Sequence, residues 1–186
     1  MESKNQTPAQ LGFKMPAEWH RHEATWLSWP HDIQTFPNLK EVEKTYVAII
    51  KSIHQSDKIN LLVTDGQMKA KVARLLENED VDLSGVEFYI HDYIDGWFRD
   101  CGPIFIVNKQ QKRIAMVHWI FNAWGCKYTD LMKDADIPSI LNKKLKMQCF
   151  GPGIVLEGGS IDVNGKGTLL TTEQCLLSPK RNPRHG

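Results

Sequence analysis

The feature that most constrains the fold of this chain is an internal echo. Asp100-Cys101-Gly102-Pro103-Ile104-Phe105-Ile106 and Glu157-Gly158-Gly159-Ser160-Ile161-Asp162-Val163 share an acid, any residue, a glycine, a turn residue and an isoleucine at one constant offset. Each acid opens an apolar run that turns back on itself. Ile104 to Val107 returns through Asn108-Lys109-Gln110-Gln111 to a run from Ile114 to Trp119, and Ile161 to Val163 returns through Asn164-Gly165 to Leu169 to Thr172. Asn-Gly between apolar runs is a strong short-range hairpin signal. Repeating such a unit sets one carboxylate at the mouth of each hairpin, a way to build a site with several acids pointing inward.

The first acid belongs to a denser run, Asp95-Gly96-Trp97-Phe98-Arg99-Asp100-Cys101-Gly102-Pro103. Two acids, a Trp and an Arg ahead of Gly-Pro suit recognition of a planar cation, because a carboxylate accepts two N–H edges at once and an indole face packs on the charge. Read from the residues alone, Asp100 is either a structural acid, paired with Arg99 or capping a turn, or the acid that makes that grip, and Glu157 stands at the equivalent place of the second unit. Trp97 lies an odd number of residues from Asp100, so on an extended segment the two leave opposite faces. Both reach one pocket only if the segment bends, for which Gly96 and Gly102 leave room. Asp95 is read two ways, as an Asx-turn acid before Gly96 or as a substrate contact. Arg99 is expected to orient the loop acids, since a direct substrate role would set one cation against another. The Gly158-Gly159 pair leaves backbone room near a ligand.

Strands and helices alternate around these runs, which makes the class α/β. Residues 1–14 are polar and read as a loose arm, with folding expected from Met15. Ala24 to Trp29 reads as a buried strand ended by Pro30. Asn38 with Glu41 resembles a capping box opening a helix to about Ser56, with Val42, Tyr46, Ile49, Ile50 and Ile53 as its apolar stripe. Lys58 to Val63 is a strand, Asp65 a helix cap, and Met68, Val72, Leu75 and Leu76 the buried side of a second helix. Val86 to Ile90 is a strand leading to the acid-rich run. A helix or helical pair from about Thr129 to Leu145, a short strand at Met147 to Phe150 and a Pro-Gly turn precede the Glu157 hairpin. Trp19, Trp26, Trp29, Trp119 and Trp124 read as core, and His118 as a hydrogen-bonded core residue.

Charge and cysteine usage narrow the function. With 23 basic and 22 acidic residues in 186, nothing points to nucleic acid or an anionic membrane. Lys180, Arg181 and Arg184 read as a solvated tail. No apolar run approaches the roughly 20 residues that cross a bilayer, and the first residues lack the apolar core of a signal peptide, so a cytoplasmic protein is expected. Cys101, Cys126, Cys149 and Cys175 are widely spaced, which suits free thiols and argues against a structural zinc site. His20, His22 and His31 match no metal-ligand spacing, so neither a metal nor another cofactor is expected. Cys101 is set aside as a nucleophile because it neighbours Asp100 and would face away from its pocket.

Four segments then stand in a distinctive order: Met15-Pro16-Ala17-Glu18-Trp19, His22-Glu23-Ala24-Thr25-Trp26-Leu27-Ser28-Trp29-Pro30, the Asp-x-Trp-x-Arg-Asp-x-Gly-Pro run, and Leu156-Glu157-Gly158-Gly159-Ser160. In these the chain resembles the N-terminal part of the agmatine deiminases, within the bacterial-type peptidylarginine deiminase family of guanidine-modifying enzymes. The resemblance implies a hydrolase that turns agmatine into N-carbamoylputrescine and ammonia, a step toward putrescine. It implies Asp100 and Glu157 as catalytic acids, and Trp97 and Asp95 as substrate-binding residues. The fold it implies is the pentein type, a pseudo-fivefold α/β propeller of strand-hairpin-helix repeats, of which this chain supplies about half.

In that family a Cys nucleophile, a His proton shuttle and an Asp beside it come late in the sequence. The family's His-x-Asp and Gly-rich His-Cys elements have no match here. Residues 15–186 are therefore expected to be the N-terminal part of a single deiminase domain, truncated and inactive alone, with open edges that favour self-association or a homo-oligomer. Two other readings stand beside this one. One is a peptidylarginine deiminase making citrulline; the other is a non-catalytic half-domain that binds a cation or a complementary chain.

Overall fold

A computed structural model describes residues 6–183. They form two compact units, Arg21–Phe98 and a second drawn from residues 6–20 and 99–183.

The Arg21–Phe98 unit is a parallel three-stranded sheet of β1 (Ala24–Ser28), β2 (Lys58–Val63) and β3 (Val86–Ile90), in that spatial order. Helices α1 (Leu39–Ile53) and α2 (Gly66–Glu77) make the two crossovers, as parallel pairing requires. The central strand β2 reads Lys-Ile-Asn-Leu-Leu-Val, and its last three residues are all buried because a middle parallel strand is covered on both faces. Its residues Ile59, Leu61 and Val63 pack with Trp29, Val47, Ile50, Val72 and Leu76. Near the C-terminal ends of β1 and β2 Tyr93 is buried, its hydroxyl donating to the Trp29 carbonyl at 2.5 Å.

Asp65 caps α2 as its sequence predicts, accepting from Met68 N at 2.8 Å. Asn38 does not. It stands before α1 with no side-chain capping bond and a non-extended backbone, so the capping box expected from Asn38 and Glu41 is not formed. The buried side of α1 is centred on Val47 and Ile50, while Ile49 is exposed. Of the expected stripe, Ile50 is buried and Tyr46 and Ile53 pack against the same core, while Val47 takes a buried place that Ile49 was expected to hold, because tertiary packing and not spacing alone selects which of several apolar residues faces the sheet.

The second unit holds two further sheets. Strands β4 (Ile104–Asn108) and β5 (Arg113–Val117) form the first hairpin, and β6 (Gln148–Phe150) joins β5 in parallel. The expected helical pair is a 3-10 stretch Thr129–Asp136 running into the α-helix Ile137–Leu145. The second hairpin is shorter than its sequence suggests, β7 (Asp162–Val163) against β8 (Leu169–Leu170). Ile104 and Ile161, equivalent positions of the repeat, are buried in one cluster with Leu156.

The segment read as a loose arm is tied down from its second half. Phe13 is buried among Ile106, Ala115 and Val117, and Lys14 exchanges backbone hydrogen bonds of 2.9 Å with Val107. An apolar Phe in a polar stretch is enough to anchor it. Residues 1–5 of that arm lie outside the described residues. Trp19, expected in the core, is 75% exposed.

Candidate functional site

In the Arg21–Phe98 unit the loop after β3 buries Asp95 to 1% exposure. Its Oδ2 accepts from Thr35 Oγ1 at 2.8 Å and from the Trp97 indole Nε1 at 2.7 Å, while Oδ1 accepts from Gly96 N at 2.6 Å. Three donors compensate a carboxylate that burial would otherwise penalise. Burial pushes the nearby Tyr46 phenol above its ordinary 10.0, and the negative charge of Asp95 adds to that shift. Trp97 stays 44% exposed, with its N–H fixed by Asp95 and its ring 6.2 Å from Phe36. Asp95 is thus the acid that orients Trp97.

Beyond Trp97 the chain does not stay extended. Phe98–Cys101 is a helical turn, so the alternating-face argument applied to Trp97, Asp100 and Cys101 fails, since a helix advances its side chains by roughly 100° per residue. Cys101 is nonetheless buried, while Asp100 is only half-buried. Arg99, expected to orient the acids, sends its Nη2 to Glu18 Oε1 at 2.6 Å in an exposed ion pair. The Met15-to-Trp19 segment and the acid-rich run are joined by this contact.

In the second unit the loops carrying Asp100 and Glu157 touch. Asp100 Oδ1 accepts from Gly159 N at 2.9 Å. A Cβ at Gly159 would collide with that same carboxylate oxygen, and one at Gly158 with the carbonyl oxygen of Arg99. The glycine pair read in the sequence as room for a ligand is room for the other repeat's own backbone and acid. The close approach, rather than a positive φ, is what demands glycine here.

Glu157 is 2% exposed, and both its oxygens accept from Arg181 Nε, at 2.9 and 3.2 Å. Arg181 is therefore not part of a solvated tail; Arg184 of that cluster lies outside the described residues. Its neighbour Asn182 acts as a surrogate strand, with Oδ1 accepting from Val155 N at 2.9 Å and Nδ2 donating to Val155 O at 2.8 Å. Together Arg181 and Asn182 hold the segment that presents Glu157.

Asp100 has a second donor that the sequence did not single out. Trp124 Nε1 reaches its Oδ2 at 3.0 Å. Trp124 sits in the turn Ala123–Cys126, wound left-handed throughout, with φ of +50°, +58°, +81° and +60°. Three of these four residues are not glycine, and each carries about 1–2 kcal/mol of steric cost in that conformation. Asn122 supports the turn by accepting from Gly125 N at 2.9 Å. A Trp between Asn122 and Gly125 was the available signal, because turn residues on either side place it on a connecting loop, where binding groups concentrate.

The structure joins the four predicted residues in two groups, Asp95 with Trp97 and Asp100 with the Glu157 loop. Cys126 and Cys149 are exposed and Cys175 half-buried. His118 is half-buried, with Nε2 3.1 Å from the Ala135 carbonyl and Nδ1 3.3 Å from Ser139 Oγ. Among the described residues no cluster of three His, Cys, Asp or Glu is placed to hold a metal, and no helix is long and apolar enough to cross a membrane. The chemistry on display is acceptor chemistry: carboxylates held rigid by neutral N–H donors or by a guanidinium.

Comparison with known proteins gives this arrangement its family. The chain is 36% identical over 189 residues to the agmatine deiminase of Pseudomonas fluorescens (strain SBW25), a match covering 98% of this chain and 50% of that protein. It superposes on the agmatine deiminase of Enterococcus faecalis with a TM-score of 0.86 at 33% identity, over 98% of this chain and 50% of that one. A cysteine-to-serine variant of the C. jejuni agmatine deiminase with substrate bound gives a TM-score of 0.76 at 35% identity, over 92% and 49%. By its fold the chain is a mixed α/β protein similar to the agmatine deiminases, a class of hydrolases acting on C–N bonds. The family model described as Porphyromonas-type peptidyl-arginine deiminase matches residues 14–186, and the chain belongs to that family. It spans about half the length of the curated relatives it matches.

Proposed function

We propose that this chain supplies the substrate-gripping acids of an agmatine deiminase. The observation that carries the reading is Asp100, in the family's acid-rich run, with one neutral donor on each carboxylate oxygen. A carboxylate so held keeps one further lone pair on each oxygen, the pattern a guanidinium fork requires. Charge-assisted hydrogen bonds to two N–H groups would hold the guanidinium plane still, so that its central carbon presents one face to a nucleophile and ammonia leaves as a ureido oxygen replaces it. Glu157 would serve the same cation as a second acid, its buried charge matched by Arg181. In its own unit Trp97 is half-exposed with its indole N–H held by Asp95, an aromatic face of the kind that packs on a cation or a methylene chain.

The propeller arrangement, self-association through open sheet edges and a cytoplasmic setting belong to the same proposal. Three small separate sheets among the described residues and four free cysteines support it. The family model's description favours a second substrate, a peptide arginine, as the competing reading.

Calorimetry of the 186-residue chain with agmatine tests the proposal. Saturable heat that Asp100→Asn removes is expected, and no saturable heat at millimolar agmatine overturns it. A ureido-product assay with agmatine, arginine and a peptide ending in arginine then identifies the substrate that is turned over. Binding without product on any of the three would define a cation-binding half without turnover.

A further inference from the structure

Resting on that reading, we infer that Trp124 is the positioning residue that sets the Asp100 carboxylate for a two-point grip on a guanidinium. A carboxylate on a half-buried side chain turns freely about its last bond unless both oxygens are held. Here they are held from two sides: Gly159 N donates to Oδ1 at 2.9 Å and Trp124 Nε1 to Oδ2 at 3.0 Å. The first donor is backbone and is fixed by the neighbouring repeat. The second is a side chain, so the orientation of the acid is a choice made by residue 124.

The chain goes to some length to make that choice. Ala123, Trp124, Gly125 and Cys126 all adopt positive φ, and they account for three of the six non-glycine residues with positive φ among those described. Asn122 ties the turn on both sides, accepting from Gly125 N at 2.9 Å and donating through Nδ2 to the Lys180 carbonyl at 3.2 Å. The indole is wedged edge-on between Phe121 and Tyr128, with ring centres 5.3 and 5.9 Å away. A tryptophan needed only for packing would not require a strained turn to present its N–H; strain of this kind persists where the surroundings over-determine it, typically at functional sites. Trp124 donates and has no acceptor to offer, so it can hold the acid without competing for the cation.

Trp124→Phe separates the roles, since it keeps the ring and removes the donor. In the full 186-residue chain its urea midpoint should stay near that of the unsubstituted protein while agmatine binding weakens by roughly tenfold or more, as loss of a hydrogen bond to a charged group implies. Unchanged agmatine affinity in Trp124→Phe would overturn the inference. A second readout does not depend on ligand: the Trp124 indole N–H should exchange with solvent at least about tenfold faster in Asp100→Ala than in the unsubstituted chain. Equal exchange rates with an unchanged urea midpoint would show that the two groups do not hold each other. If the unsubstituted chain takes no agmatine, the proposed function fails, and the exchange comparison alone decides whether Trp124 fixes Asp100.

Discussion

Both carboxylate oxygens of Glu157 accept one and the same N–H, that of Arg181 Nε, at 2.9 and 3.2 Å. With the side chains 2% and 15% exposed, this is a buried ion pair, and the partners are not interchangeable with neutral residues one at a time. Arg181→Ala leaves a buried carboxylate without its counter-charge and should cost about 3–5 kcal/mol in urea unfolding. Arg181→Lys keeps the charge but not the Nε geometry and should fall between the two. An Arg181→Ala midpoint equal to that of the unsubstituted chain would show that the pair contributes little.

The adjacent glycines should separate stability from binding. Gly158→Ala drives a methyl group into the Arg99 carbonyl, which is backbone and cannot step aside, so a loss of about 1–3 kcal/mol is expected. Gly159→Ala meets the Asp100 carboxylate, a side chain that can rotate away. It should leave the fold nearer intact and weaken agmatine binding instead. Equal effects of the two substitutions on both readouts would refute this division.

Asp95→Asn tests whether the buried acid is a structural anchor. An amide offers one acceptor oxygen where three donors converge, and its NH₂ would face a donor, so a loss of about 1–3 kcal/mol is expected. The substitution also removes a negative charge near Tyr46. By NMR titration the Tyr46 phenol should move down yet remain above 10.0, because burial is the larger cause of its shift. The sign follows for the unsubstituted chain: with the folded pKa raised, the Tyr46 contribution to stability is undiminished below the unfolded value near 10.0 and is lost as pH rises through the folded one. A Tyr46 titration that Asp95→Asn leaves in place would contradict the coupling.

Cys126→Gly relieves the left-handed turn at an exposed position with φ of +60°. The steric relief of about 1–2 kcal/mol is offset by about 0.5–1 kcal/mol of added chain entropy, so a net gain of up to roughly 1 kcal/mol is expected in urea unfolding. Destabilisation would mean that the Cys126 side chain makes contacts worth more than the strain.

Much of the architecture is legible residue by residue. Strand β2 falls on Lys58–Val63 and β3 on Val86–Ile90, where the reading of the apolar runs puts them, and Asp65 caps its helix. These are local signals, set by periodicity and by one side chain reaching its own turn. The failures are of another kind. Asn38 has the composition of a cap and makes no capping bond, and Trp19 has the character of a core residue and is exposed. In both, residue type along the chain does not by itself decide what the side chain meets in the fold.

By itself the sequence determined the alternation of strand and helix, the two hairpins and the acids at their mouths, because each depends on residues close along the chain. It also carried the family, through four short motifs in order. Only the tertiary structure decided what those acids touch. The donors that hold Asp100 and Glu157 lie 24 and 59 residues away for Asp100 and 24 for Glu157. The glycine pair serves a close approach between two repeats, and a left-handed turn aims Trp124 at Asp100. Hydrogen bonds are short-ranged and directional, so a contact between distant residues exists only once the fold has placed donor and acceptor within about 3 Å of each other.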